Sequence, residues 1–150
     1  MSKYVFPAVF QWDPKENVYY VNFPDMDGCF TDGATLAEAM ENAEDVLNLM
    51  IWSMEHEKQV IPTPTPLQQV PVPEHGFVNL VVADTVAYQD VIERENNPIK
   101  YARKKAGLNV KGLATLLGAP YRTVQEWNVG NRMPPAWVQR LIIEKIEANM

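Results

Sequence analysis

Five prolines crowd the stretch from Ile61 to Pro73: Pro62, Pro64, Pro66, Pro71 and Pro73. Proline lacks a backbone N–H and clashes with the preceding turn, so this stretch is no helix and a poor strand. Composition alone makes it a semi-rigid extended linker between two domains. The residues that follow argue otherwise. Phe77-Val78-Asn79-Leu80-Val81-Val82 has the make-up of a strand, and a strand needs a sheet to join. The expectation is that it returns to strands at the N-terminus, so that the proline stretch is a long loop inside the first domain. The boundary then moves to Arg94-Glu95-Asn96-Asn97, giving domains at 1–93 and 97–150.

Charge supports a division into two modules. The net charge of −6 averages two opposite halves. Residues 1–90 carry fourteen acidic and three basic side chains, a balance of −11, whereas residues 91–150 carry five and ten, a balance of +5. A basic module suits phosphate, and an acidic one suits a basic partner or simply solubility. At 150 residues and 47 % hydrophobic content, the chain can bury its own core without a metal or disulfide staple. Its single cysteine, Cys29, excludes an internal disulfide and fits a reducing cytosol. No uninterrupted apolar run reaches the roughly 18 residues of a membrane span. The N-terminus alternates rather than running apolar, so no signal peptide is expected and the protein is expected in the cytoplasm.

The first module reads strand, strand, strand, helix, strand. Residues 4–12 alternate between two faces, Asp13-Pro14-Lys15-Glu16-Asn17 is a polar turn, and Val18 to Phe23 is a second strand of a hairpin. Cys29 to Asp32 is a short third strand. Thr35 and Glu38 have capping-box spacing at the start of a helix that reaches about Glu57. Leu36, Met40, Ala43, Leu47, Met50 and Met54 form its apolar stripe, and the methionines read as core.

The second module reads as four short helices. Pro98 suits a first helical position, Gly107 ends that helix, and Asn109 caps the next, Val110 to Leu117. Gly118 allows a tight turn, Pro120 opens a third helix to about Val129, and Gly130 closes it. Pro134-Pro135 opens a fourth with a buried stripe of Val138, Leu141, Ile142 and Ile146. Two helices crossing steeply need a small residue at closest approach, a glycine at the corner and apolar residues behind both. Ala114, Gly118, Leu113, Leu117, Val124 and Trp127 meet those needs. The pattern resembles helix-turn-helix domains of the Cro/repressor class, with Thr123-Val124-Gln125-Glu126-Trp127 similar to that class's third-helix signature. A glutamine often opens the second helix in that class, where Val110 stands here.

The resemblance implies that the third helix enters the major groove of DNA. Tyr121, Arg122, Gln125 and Asn128 are then the base contacts, with Arg122 suited to guanine and Gln125 to adenine. Lys111, Asn131 and Arg132 are the phosphate contacts. One such helix covers a half-site, so a homodimer or homotetramer is expected, and Trp137 and Ile143 on the fourth helix offer either an interface or more core.

Three further pieces carry a second resemblance. They are Phe6-Pro7-Ala8-Val9-Phe10, the run Tyr20 to Gly33 containing Phe23-Pro24-Asp25-Met26-Asp27-Gly28-Cys29, and Thr35-Leu36-Ala37-Glu38-Ala39 with Asn42-Ala43. Together they resemble the HicB family of antitoxins over about residues 3–90. The resemblance implies an α+β architecture, a β-β-β-α-β partial ribonuclease-H-like domain followed by the all-α helix-turn-helix domain. It implies an antitoxin that binds and neutralises HicA, a small basic RNA-cleaving toxin, and represses its own operon. A −11 domain can compete with RNA for a basic surface. Trp12, Tyr19, Asp25, Asp27 and Asp32 are the candidate toxin contacts, although Tyr19 also suits the core.

A ribonuclease-H-like fold invites a search for metal-binding carboxylates among Asp25, Asp27, Asp32 and Asp45. Asp25 and Asp27 lie beside Gly28 in a turn, where aspartate is common, and Asp45 sits on an acid-rich helix. The chain therefore reads as no enzyme, with no cofactor and no metal. His56 and His75 lack ligand-spaced companions, and Cys29 reads as a packed strand residue. The alternative function is a transcriptional regulator whose first domain senses a small molecule or oligomerises.

Overall fold

The alternating N-terminus forms β1 (Lys3–Asp13), which turns back into β2 (Val18–Asn22) with Phe10 opposite Val21 and Trp12 opposite Tyr19. The turn is held by Asp13, whose Oδ1 accepts from the N–H groups of Lys15 and Glu16 at 2.9 and 3.3 Å. Asn17 takes the left-handed position with φ 53°, which asparagine tolerates better than most side chains. β3 (Phe30–Gly33) pairs antiparallel with β2. The expected return of the later strand is met. β4 (Gly76–Asp84) pairs antiparallel along nearly all of β1, from Lys3 opposite Asp84 to Gln11 opposite Gly76. The sheet order is β3-β2-β1-β4. This computed structural model describes residues 2–150, which form two compact units that divide after Gln89.

In the first unit, helix α1 (Leu36–His56) packs on one face of the sheet. Thr35 Oγ1 accepts from Glu38 N–H at 3.1 Å. The carboxylate of Glu38 reaches back past the cap and accepts from Ala34 N–H at 3.3 Å. The buried face differs from the expected stripe. Ala39, Ala43, Leu47, Asn48 and Ile51 are buried, while Leu36 and Met40 are 39 % and 44 % exposed. The reason is closeness: β3 comes so near α1 that a Cβ on Gly33 would strike the backbone of Ala39. Ala39 and Ala43 therefore face the sheet near β3 and Leu36 and Met40 turn outward, while Leu47 is buried and Met50 and Met54 pack against the core as expected. Phe6, Ala8, Phe10, Val21, Phe23 and Cys29 complete this core. Burial pushes the Cys29 thiol up to about 11, so it stays protonated and inert.

Asn48 is the polar member of that core. Its Oδ1 accepts from Asp84 N–H at 2.9 Å and its Nδ2 donates to Glu44 O at 3.0 Å, tying α1 to the end of β4. Asn48→Ala leaves the part-buried Asp84 amide without its acceptor. The expected loss is about 1–3 kcal/mol in denaturant unfolding, with the slope unchanged.

The proline stretch holds one 3-10 turn, Leu67–Gln69, and otherwise runs without helix or strand. It is pinned at two places. Asp25 accepts from Thr65 N–H at 3.0 Å and from its hydroxyl at 2.5 Å, and the 3-10 turn packs against β4.

A helix the sequence reading did not anticipate, α2 (Thr85–Asn96), follows β4 directly. Asp84 Oδ1 accepts from Ala87 N–H at 3.1 Å and so starts it. The boundary between the two units falls inside α2, after Gln89, a few residues before the expected Arg94–Asn97.

The second unit continues as α3 (Pro98–Lys105), α4 (Val110–Leu117), α5 (Tyr121–Val129) and α6 (Ala136–Glu147). Asn97 caps α3 through Lys100 N–H at 3.1 Å, and Asn109 caps α4 through Gly112 N–H at 2.7 Å. Gly118 and Gly130 take φ of 66° and 81° after α4 and α5, positions that glycine occupies without strain. Ile99, Ala102, Leu113, Ala114, Val124, Ile142 and Ile146 form the core, with Leu117, Trp127, Val138 and Ile143 packed at its edge. Leu141, expected in the buried stripe, is 53 % exposed. The core face of α6 runs through positions 138, 142 and 146, at steps of four, and Leu141 falls beside it.

Candidate functional site

The residues singled out by sequence fall on both units, most of the DNA-contact candidates on and around α5 and the toxin-contact candidates dispersed over the first unit. On the second unit, α5 follows α4 after a turn through Gly118, Ala119 and Pro120. Val124 is buried and Trp127 packs at the core edge, so the opposite side of α5 faces outward. Tyr121 and Arg122 are exposed at its start, and Gln125 is half-buried one turn on. Pro120 offers no side-chain cap, although its carbonyl accepts from the Thr123 and Val124 N–H groups, so only the N–H groups of Tyr121 and Arg122 at the start of α5 face an outside acceptor. Arg122 and Arg132 line one concavity together with Thr123, Glu126 and Trp127. Lys111 is exposed near the start of α4, and Asn131 is exposed after α5.

Asn128 differs from the other base-contact candidates. It is half-buried, and its Oδ1 accepts from Arg103 Nη2 at 3.0 Å. Arg103 also donates through Nη1 to Leu108 O at 2.7 Å. Arg103 therefore braces α5 against the α3–α4 turn and keeps the Asn128 oxygen committed inside the fold. Sequence spacing carried no signal of this pair, because the two residues are far apart in the chain.

Another charged cluster joins α2 to α3. Tyr101 OH donates to Asp90 Oδ2 at 2.6 Å, Arg94 Nη2 donates to Tyr101 OH at 3.2 Å, and Lys105 Nζ lies 3.7 Å from Asp90. The Arg94 guanidinium sits 4.9 Å from the Tyr101 ring centroid. The hydrogen bond from Tyr101, then the nearby Lys105 and Arg94, hold the Asp90 carboxyl below its ordinary value.

On the first unit the five toxin-contact candidates separate. Trp12 and Tyr19 are cross-strand partners with ring centroids 4.7 Å apart, half-buried on the α1 side of the sheet, where Tyr19 packs against the core. Asp25 spends its carboxylate on Thr65 and so latches the proline stretch. Asp27 and Asp32 are exposed. Among the described residues, no three His, Cys, Asp or Glu side chains converge as a metal-holding group, and Asp25, Asp27, Asp32 and Asp45 are not brought together. His56 donates through Nδ1 to Trp52 O at 2.8 Å and its ring lies tilted against Trp52, while His75 lies 3.6 Å from Glu74. No helix among the described residues is long and apolar enough to cross a membrane.

The comparisons with known proteins centre on the first unit. A family model described as the HicB-like antitoxin of bacterial toxin-antitoxin systems matches residues 6–100. An uncharacterized 14.9 kDa protein in the rep-hol intergenic region of Haemophilus phage HP1 is 36 % identical over 67 residues, which are 44 % of this chain and 50 % of the phage protein. The chain thus spans about half the length of that curated relative. Among solved structures, a toxin-antitoxin complex from Streptococcus pneumoniae shares the fold at 20 % identity and a TM-score of 0.53, over 57 % of this chain and 72 % of that one. The N-terminal domain of Burkholderia pseudomallei antitoxin HicB is 21 % identical with a TM-score of 0.46, over 52 % of this chain and 95 % of that one.

Proposed function

The chain belongs to the HicB-like antitoxin family of bacterial toxin-antitoxin systems, and from that premise we propose that it neutralises a small, basic, RNA-cleaving toxin and represses its own operon. The family match over residues 6–100 carries this reading. The first unit, a partial ribonuclease-H-like fold in this reading, holds the toxin as a binding module and not as an enzyme. Its charge supports the assignment, because residues 1–90 balance at −11 and a toxin that grips RNA presents cations.

The second unit holds operator DNA as a helix-turn-helix. The α4–Gly118–α5 arrangement, the outward Arg122 and Gln125, and the +5 balance of residues 91–150 all support that role. α5 is the recognition helix, with Tyr121, Arg122 and Gln125 toward the bases and Lys111, Asn131 and Arg132 toward phosphate. An operator with two half-sites calls for two copies. Trp137 and Leu141, 60 % and 53 % exposed one turn apart on α6, are suited to join them, whereas Ile143 packs against its own core. In this reading the protein works in the cytoplasm.

The test of the toxin half is co-purification. A tagged full-length chain, co-expressed with a short basic protein encoded beside it, is expected to draw that protein down through a salt wash. Elution of the tagged chain alone contradicts the reading.

A further inference from the structure

We propose that the toxin docks on the sheet face turned away from α1, at its β2–β3 end, where Tyr20 and Phe30 receive the toxin's arginines and lysines beside Asp13, Glu16 and Asp32. This surface rests on the antitoxin reading above and gives it a place. It is also distinct from the pair Trp12 and Tyr19, which lie on the other face of the same strands.

Strand register sets the surface. Phe10 faces Val21 on the core side, so the alternating positions Tyr20 and Asn22 point the other way. Across the ladder, Tyr20 sits opposite Asp32 and Asn22 opposite Phe30. Tyr20, Phe30 and Asp32 therefore share the outer face. Tyr20 is 45 % and Phe30 67 % exposed, a large aromatic area left to water beside β3, which ends the sheet. Two exposed rings on a sheet end are contact area in need of a partner.

Charge decides which partner. Asp13 and Glu16 belong to the turn that leads into β2, and Lys15 is the single cation of that turn. Register sets Asp32 directly opposite Tyr20 and puts Asp13, at the end of β1, on the same face. Desolvation, and then the negative charges of Asp13, Glu16 and Asp32, raise the Tyr20 hydroxyl above its ordinary value. Asp13 holds its turn through one oxygen, Oδ1. A guanidinium or ammonium group can lie on an aromatic face and reach a carboxylate at the same time. The cations with which an RNA-cleaving protein grips phosphate fit this arrangement, so the docked surface is the one RNA would use. A second copy of the chain fits poorly, because like-charged units with a −11 balance repel.

The experiment uses the full-length chain and the co-encoded basic protein, purified in an inactive form, with affinity measured at low and moderate salt. Tyr20→Ala with Phe30→Ala is expected to weaken binding about a hundredfold or more. Asp13→Asn, Glu16→Gln and Asp32→Asn together are expected to weaken it about tenfold and to flatten its salt dependence. Unchanged melting and unchanged operator binding establish that the variants are folded. If the wild type binds no toxin, the antitoxin reading itself fails. If the wild type binds and the aromatic variant binds equally well, this surface is wrong while the reading stands. If the variant changes only the oligomeric state, the face joins two copies and the proposal is overturned.

Discussion

Replacing Arg122 and Gln125 together with alanine is expected to abolish selective binding to the chain's own promoter while the fold survives. The two residues stand three apart on α5, Arg122 exposed and Gln125 half-buried, while Val124 anchors the helix to the core. A bidentate contact from arginine to guanine or glutamine to adenine contributes about 1–3 kcal/mol of discrimination. Loss of both removes about 2–6 kcal/mol, enough to bring the site close to nonspecific DNA. Neither side chain is in the buried cluster, so helical content is expected to persist. Lys111→Ala and Arg132→Ala should behave differently, weakening binding to all sequences and lowering the salt slope by about one unit each. Gel shifts on the promoter and on scrambled duplexes separate these outcomes. An unchanged preference in the Arg122 and Gln125 variant removes α5 from the recognition role.

The second large effect concerns two glycines that hold the first unit together. A Cβ on Gly33 would lie 2.7 Å from Ala39 Cα and 2.9 Å from Glu38 C, besides striking the Ala39 amide nitrogen. A Cβ on Gly76 would meet the Phe10 carbonyl oxygen and lie 2.7 Å from Pro73 Cγ. The obstacle is space and not backbone conformation, since neither glycine takes a positive φ. At Gly33 a side chain forces α1 away from β3; at Gly76 it forces the start of β4 away from β1. Overpacking of this kind costs about 1–3 kcal/mol or more, out of a typical total of about 5–15 kcal/mol. Each alanine variant should therefore melt roughly 5–20 °C below the wild type. Toxin protection should fall with it. A Gly33→Ala variant that melts like the wild type contradicts the close packing of α1 on β3.

Local chemistry made much of the architecture legible. Alternation marked β1 and β2, Thr35 marked the start of α1, and Asn109, Gly118 and Gly130 marked the limits of the short helices. Even the return of β4 followed from the simple need of a strand for a sheet. The misreadings have a common cause, since each turned on a tertiary contact. The stripe of α1 held from Ala43 onward, but at its start Ala39 faces the sheet in place of Leu36 and Met40, because the backbone comes close at Gly33. α2 escaped notice because Val86 and Val91 are 54 % and 44 % exposed and no clean apolar stripe marks it, although Asp84 before it was a readable cap. Asp25 looked like a surface charge, and its partner Thr65 lies 40 positions away. Asn128 likewise gave no sign of Arg103. Tyr20 and Phe30 were within reach, since alternation places Tyr20 opposite in sense to Tyr19, but only the finished sheet shows that their side stays uncovered there.

The central claim is that this chain silences an RNA-cleaving partner by occupying its basic surface. The direct measurement is a titration of full-length chain into the co-encoded basic protein while cleavage of a labelled RNA is followed. The account predicts that cleavage stops at a fixed molar ratio, and that the Tyr20 and Phe30 variant needs a large excess to reach the same end. Cleavage that continues undiminished with the wild-type chain in excess would contradict it.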